Sequence, residues 1–199
     1  VGNSQDEAEV GAIRLTEEAG LTPISPFDHP DVIAGQGTVG LEITEQVGAN
    51  LDQVLCCVGG GGLISGVALA VNEIFPDAAI YASEPIGFDS MARSLRVGKR
   101  VGNEPGSKTI CDALMPPQPG EYPFAISYEL LSGGLSVSDN QVRAAMAEAG
   151  PQQAVMQMAP IRIKGRAAVA DAAHDHRRHV GQRQRQDQQR QQQADGGEL

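Results

Sequence analysis

Residues 52–66 read DQVLCCVGGGGLISG, an apolar segment that runs into four consecutive glycines and on into a second apolar segment. The compact apolar segment 52–58 is typical of a strand that is buried on both faces of a parallel sheet. Residues 63–74 mix small and aliphatic side chains as a buried helix does, and residues 78–83 predict another short buried strand. The order of strand, glycine turn, helix and strand predicts an α/β fold, with an open, mostly parallel sheet and flanking helices.

The segment that precedes this unit predicts two more helices. Residues 5–19 place apolar side chains on one stripe with acidic side chains opposite, which is the pattern of an amphipathic helix. Residues 28–31 predict a turn. A second helix is expected to open at residues 35–38, with Thr38 as its capping residue.

The glycine run Gly59–Gly62 predicts a phosphate-binding loop. Without Cβ atoms the backbone can approach a ligand closely, and its N–H groups can converge on an anion at the positive end of the following helix. A turn that is merely tight is the alternative. A triphosphate loop of the P-loop type is excluded, because Val67 and Ala68 stand where a lysine and a hydroxyl residue are required. A dinucleotide site stays open, because Glu84 ends the next strand about 20 residues further on.

Composition and charge exclude several classes of protein. The chain has 199 residues, of which 15 are basic and 25 acidic, giving a formal net charge of −10. This balance disfavours a general binder of nucleic acid or anionic membranes. No apolar run approaches the roughly 20 residues that span a bilayer, and the first residues lack the pattern of a secretory signal. Three cysteines indicate reduced thiols, so we expect a cytoplasmic protein without nucleic-acid or membrane partners.

The charge distribution divides the chain. Residues 1–150 contain 7 basic and 20 acidic residues, whereas residues 151–199 contain 8 basic and 5 acidic ones. We expect residues 1–148 to form the folded part and assign no structure to residues 149–174. Residues 175–199 are rich in Gln and Arg and too poor in apolar side chains to bury a core, so we expect a disordered tail there.

Four motifs in register extend the evidence beyond the glycine loop. They are DVIAGQGTVGLEITEQ (31–46), VGGGGLISGVALAV (58–71), IYASEP (80–85) and TICDAL (109–114). With these motifs, about residues 1–147 closely resemble the serine/threonine dehydratase and serine racemase family of fold-type II pyridoxal-phosphate enzymes. The resemblance implies most of the large domain of the tryptophan-synthase-β-like fold.

The same resemblance implies a cofactor, a reaction and partners. Pyridoxal 5′-phosphate would be held through its phosphate by Gly59, Gly60, Gly61, Gly62 and the N–H group of Leu63. The implied reaction is the dehydration and deamination of L-threonine or L-serine to a 2-oxo acid and ammonia, an ammonia-lyase activity of amino-acid metabolism. Racemisation is the related alternative. The expected partners are a small hydroxyamino acid and further copies of the chain in a homo-oligomer.

A metal site is also implied by the resemblance. The family binds Mg²⁺ or Ca²⁺ through hard oxygen ligands, and the matching positions are Glu84, the backbone carbonyl of Phe88, and Ser90. Ser90 stands where the family has an aspartate, and Asp89 lies one residue early. A plain surface acid at Glu84 is therefore the alternative.

The Schiff-base lysine of the family has no counterpart among the three lysines, Lys99, Lys108 and Lys164. None of them lies in the Ser-x-Lys-x-Arg-Gly-Ala context of the family, so we assign no catalytic residue and expect little or no activity from this polypeptide. The alternatives are an inactive remnant that binds phosphate, the cofactor or a partner, and a dinucleotide-binding fragment.

Residues 131–134 look like the Ser-Gly-Gly of the family, but their position predicts a turn without a role. After residue 146 the sequence departs from the family.

Overall fold

The computed structural model describes residues 5–154 of the protein, and its side chains from residue 7 to residue 148. Helices and strands alternate along most of this range, as the sequence predicts. The elements are α1 (Gln5–Ala19), α2 (Pro30–Val47), β1 (Gln53–Cys57), α3 (Gly62–Ile74), β2 (Ala79–Pro85), α4 (Ser90–Val97), a 3₁₀ turn (Asp112–Leu114), α5 (Glu121–Leu130), β3 (Gly133–Val137) and α6 (Asp139–Ala154).

The three strands form one parallel sheet in the order β1-β2-β3. Cys57 at the end of β1 lies opposite Ser83, and Pro85 at the end of β2 lies opposite Val137. The predicted α/β class and parallel sheet are confirmed. Because all three strands run the same way, the segments that follow β1, β2 and β3 leave from the same edge of the sheet.

The core lies between one face of the sheet and the helices α3 and α4. Val54, Ile80 and Ala82 face it from the strands, and each is at most 3% exposed. The helices and the segment after α5 contribute further buried apolar residues: Ile64, Val67, Ala68, Val71, Met91, Leu95 and Leu131. Burial of one such aliphatic side chain stabilises the fold by about 1.5–3 kcal/mol, so this cluster holds α3 against the strands.

Helix α2 starts earlier than the sequence analysis predicts. Pro30 is its first residue, and His29 caps it by accepting a hydrogen bond from the N–H of Asp31 through Nδ1 at 3.2 Å. Proline suits a first helical position because its missing N–H would have no acceptor there. The predicted turn at 28–31 therefore overlaps the start of the helix. Thr38 lies inside α2 and donates to the carbonyl of Gly35, so its predicted capping role is wrong.

Helices α2 and α3 approach each other through glycines. A Cβ atom on Gly66 would collide with the backbone of α2, and one on Gly40 would collide with Val67 and Ala70 of α3. Small residues at this contact let the two backbones lie side by side. Val39, Leu41 and Val47 of α2 instead lie more than 40% exposed, whereas Ile33 is buried.

Strand β3 corrects a second local prediction. Gly133 and Gly134 are its first two residues and not part of a turn. A Cβ on Gly134 would collide with Ala92 of α4, so the glycine is required by packing.

No helix between Gln5 and Ala154 is long and apolar enough to cross a membrane.

The division of the chain proposed from its composition stays a prediction. Its first boundary, after residue 148, lies within α6. The predicted tail at 175–199 lies outside the described residues.

Candidate phosphate-binding loop

The loop Gly59–Gly62 connects β1 directly to α3 at the carboxyl edge of the sheet. Gly61 has φ +97° and is the N-cap residue that directly precedes α3. This left-handed conformation is costly for a residue with a Cβ atom. No side chain caps the start of α3, so the first N–H groups of the helix point out of its end without the usual side-chain acceptor.

The glycines are also required by their packing. A Cβ on Gly60 would collide with the ring of Phe27, and one on Gly59 would meet Pro116. A Cβ on Gly61 would meet side chains of α4 and α5. The presence of glycines alone therefore does not distinguish a phosphate-binding loop from a tight turn. The hydrogen bonds of the loop distinguish the two.

The hydrogen bonds of the loop involve its carbonyl groups and not its N–H groups. The Gly60 carbonyl accepts from the N–H of Gly120 at 3.0 Å, and the Gly61 carbonyl accepts from the N–H of Ser65 at 3.1 Å and from its Oγ at 2.8 Å. Within residues 5–154, the N–H groups of 59–63 donate to no protein acceptor. Gly60, Gly61 and Gly62 are buried. Buried N–H groups require an acceptor, and an anion at the helix N-terminus supplies one.

Residues that the sequence analysis missed hold the loop in place. Besides the Phe27 ring against Gly60, the Asp28 carboxylate accepts from the N–H of Glu121 at 2.8 Å and from that of Tyr122 at 3.0 Å. Asp28 therefore caps α5, whose preceding residue, Gly120, donates to the loop. Nothing in the local sequence pairs an aspartate with N–H groups more than 90 residues away.

Glu84 lies at the end of β2 with its side chain fully enclosed, at 0% exposure. Its Oε1 accepts from the N–H of Met91 at 2.9 Å and its Oε2 from that of Ala92 at 2.7 Å. Both oxygens are thus used by the first turn of α4. This placement does not suit an acid that receives the ribose hydroxyls of a dinucleotide, which have to reach it from solvent.

Burial raises the pKa of Glu84 to about 7 from its ordinary value of 4.5, although the two N–H donors act in the opposite direction. The folded protein then holds a proton that the unfolded chain releases at lower pH. The associated stability is present below about pH 4.5 and is lost as the pH rises through about 7.

The residues matched to the implied metal site do not fit a divalent cation. Ser90 is 1% exposed and offers a hydroxyl in place of a carboxylate. Asp89 lies beside it, but its Oδ1 accepts from Nε of Arg93 at 3.2 Å and its Oδ2 from Oγ of Ser136 at 2.7 Å. Among the side chains of residues 7–148, no three His, Cys, Asp or Glu residues are grouped so as to hold a metal ion.

The lysines that the structure describes lie in the segment after α4. Lys99 follows Gly98, the residue that ends the helix, and Lys108 lies further along the same segment. Both are exposed. Lys164 lies outside the described residues.

Comparisons with known proteins agree with the fold. The family model described as pyridoxal-phosphate dependent enzyme matches residues 1–180. The chain is 43% identical over 146 residues to the biosynthetic chloroplastic threonine dehydratase of Arabidopsis thaliana, covering 73% of this chain and 24% of that protein. It is 41% identical over 138 residues to the serine racemase of Schizosaccharomyces pombe, covering 69% of this chain and 42% of that protein.

Among solved structures, the processed form of threonine deaminase isoform 2 from Solanum lycopersicum superposes with a TM-score of 0.70 and 41% identity. That match covers 75% of this chain and 40% of the other. The chain thus spans less than half the length of each of these three relatives. The family model nevertheless matches well over half of the chain, and the chain belongs to the family of pyridoxal-phosphate dependent enzymes.

Proposed function

We propose that Gly59, Gly60, Gly61, Gly62 and the N–H group of Leu63 bind the phosphate of pyridoxal 5′-phosphate. The observation that carries this proposal is the set of N–H groups at 59–63 that have no acceptor within the described residues, at the start of a helix without a side-chain cap. A phosphate dianion matches both the donors and the positive end of the helix dipole. The loop has no room for side chains of its own, so the backbone makes every contact.

The reaction proposed for the whole protein is the conversion of L-threonine to 2-oxobutanoate and ammonia, or of L-serine to pyruvate and ammonia. The names of the relatives, threonine dehydratase and L-threonine ammonia-lyase, support it. When bound, the cofactor accepts the electron pair left on the substrate Cα, which makes that proton removable. Racemisation of serine is a second candidate, supported by the similarity to serine racemases, because it begins with removal of the same proton.

We propose that the polypeptide of this sequence carries out either reaction slowly or not at all. Lys99, Lys108 and Lys164 lack the sequence context of the family's Schiff-base lysine, and a displaced or missing amine removes both the covalent link to the cofactor and the usual proton carrier. The protein is proposed to act in the cytoplasm as a homo-oligomer.

The first experiment compares two ligands that differ only in the phosphate. Purified protein is titrated with pyridoxal 5′-phosphate and with pyridoxal, with absorbance as the readout and inorganic phosphate as competitor. We expect the phosphate ester to bind at least tenfold more tightly, since one charge-assisted hydrogen bond already contributes about 1.5–3 kcal/mol. Equal affinities, or no competition by phosphate, would overturn the loop as the phosphate site.

A second experiment separates binding from catalysis. Borohydride reduction of the cofactor mixture followed by mass mapping shows whether one lysine is modified before the others. Release of 2-oxobutanoate from L-threonine, and chiral chromatography of serine, measure the two reactions. Specific modification of one lysine together with turnover would contradict the proposed lack of activity. Uniform slow modification without turnover would support it.

A further inference from the structure

A positively charged side chain of the protein itself lies beside the residues matched to the implied metal site. Arg93 lies one turn into α4, and its Nε donates to Oδ1 of Asp89 at 3.2 Å. The side chains of the pair are 25% and 14% exposed, respectively. Charges this far removed from water need a partner of opposite sign nearby.

The same guanidinium connects separate segments of the fold. A second nitrogen of Arg93, Nη2, donates to the carbonyl of Gly102 at 2.7 Å, in the segment after α4. Asp89, which Arg93 holds, accepts from Ser136 in β3 at 2.7 Å. Arg93 thus lies where the β2–α4 turn, the segment around Gly102 and the end of β3 meet.

Of the two carboxylates near the implied metal site, only Asp89 bonds directly to this cation. Glu84 is enclosed at the end of β2, and Asp89 follows it by five residues. Both oxygens of Glu84 are bonded to the first turn of α4, so Asp89 is the carboxylate that Arg93 neutralises directly.

We propose that Arg93 is a built-in cation that takes the place of a divalent metal ion between β2, α4 and β3. A guanidinium suits this role because it is planar, keeps its charge at all physiological pH values and presents several N–H donors at once. It neutralises Asp89 and binds a backbone carbonyl, two tasks that Ca²⁺ performs with oxygen ligands elsewhere. The protein then needs no added Mg²⁺ or Ca²⁺ for its stability, and Arg93 acts as a positioning residue.

The test measures thermal unfolding of the full chain in EDTA, in about 5 mM CaCl₂ and in about 5 mM MgCl₂, since a ligand of the folded state raises Tm. The variants are Arg93→Gln, Arg93→Lys and the control Arg96→Gln, which removes the same charge from an exposed position of the same helix. We expect the Tm of the wild type and of Arg96→Gln to differ by less than about 1 °C among the three conditions.

Arg93→Gln is expected to lower Tm by about 5 °C or more in EDTA and to recover part of the loss in CaCl₂, but not in NaCl of equal ionic strength. Arg93→Lys keeps the charge, so we expect a smaller decrease in Tm and no change in Tm when Ca²⁺ is added. A Tm loss in Arg93→Gln that no divalent ion relieves would overturn the exchange of cation for metal. If that variant does not fold, the wild type is titrated calorimetrically with Ca²⁺ and Mg²⁺ instead. Saturable binding that raises Tm would overturn the proposal, and no binding would support it.

Discussion

Replacing Leu63 by proline removes one N–H group from the loop while leaving the helix intact. Leu63 is the second residue of α3, and its N–H belongs to the first turn, which has no acceptor inside the helix. Proline is tolerated in a first turn for this reason. The residue before it, Gly62, is the type that best tolerates the restriction that proline imposes on its neighbour.

The expected effect is confined to ligands that carry a phosphate. A hydrogen bond to a charged group contributes about 1.5–3 kcal/mol, so Leu63→Pro should weaken binding of pyridoxal 5′-phosphate by roughly 10- to 150-fold. Leu63→Ala is the matched control, because it loses the same half-buried side chain but keeps the N–H. Absorbance titrations give the affinities, and circular dichroism confirms that the helix content of the two variants is equal. Equal affinities of Leu63→Pro and Leu63→Ala would refute the assignment of this N–H to the phosphate.

Three further predictions concern the packing of α2 against α3, the pH dependence of stability and self-association of the chain. Gly66→Ala should lower the free energy of unfolding by roughly 1–3 kcal/mol, because its Cβ would collide with the backbone of α2. In contrast, Gly35→Ala, whose Cβ would meet nothing within 4 Å, should raise it by up to about 1 kcal/mol, both measured by urea denaturation. The wild type should lose about 3 kcal/mol of stability between about pH 4.5 and pH 7. Glu84→Gln should abolish this loss, whereas the exposed control Glu73→Gln should keep it. Thermal unfolding measured at a series of pH values follows the change. Light scattering should show self-association, because β1 is an edge strand of the described sheet with unpaired backbone groups.

For each of these predictions, one result would contradict the reasoning. Similar stabilities of Gly66→Ala and Gly35→Ala would show that α2 and α3 are not in close contact. A pH profile that Glu84→Gln leaves unchanged would show that the carboxyl group has the same pKa in the folded and unfolded chain. A monomer at every concentration would show that the edge of the sheet is protected.

The central unit of the fold could be predicted because its signals are local. An apolar run of strand length, a glycine run and an apolar run of helix length follow one another within residues 52–74, and each is typical of one element. The start of α2 was also signalled locally, by a proline at its first position. From the sequence alone, the residues around that proline predict a turn, because such residues favour both structures.

The parts that could not be predicted depend on contacts between distant segments. Gly133 and Gly134 are typical of a turn in isolation, and they form a strand because they pair with Tyr81 and Ala82 of β2. Likewise, a carboxylate that ends a strand predicts a ligand-binding acid as readily as a helix cap. Only the fold shows that both oxygens of Glu84 are bonded to α4, because the pairing of a side chain with particular N–H groups leaves no trace in local sequence.

The contacts of Phe27, Asp28 and Gly120 around the loop also bear on how the protein is made. The glycine loop is synthesised before α5, but it is held by the N–H of Gly120 and by a helix that begins at Glu121. Contacts of this separation form late, because a long segment must first be closed. A ribosome-bound chain that has reached only residue 100 therefore contains every glycine of the loop without its final shape. We expect such a chain to gain phosphate affinity only after α5 has left the exit tunnel.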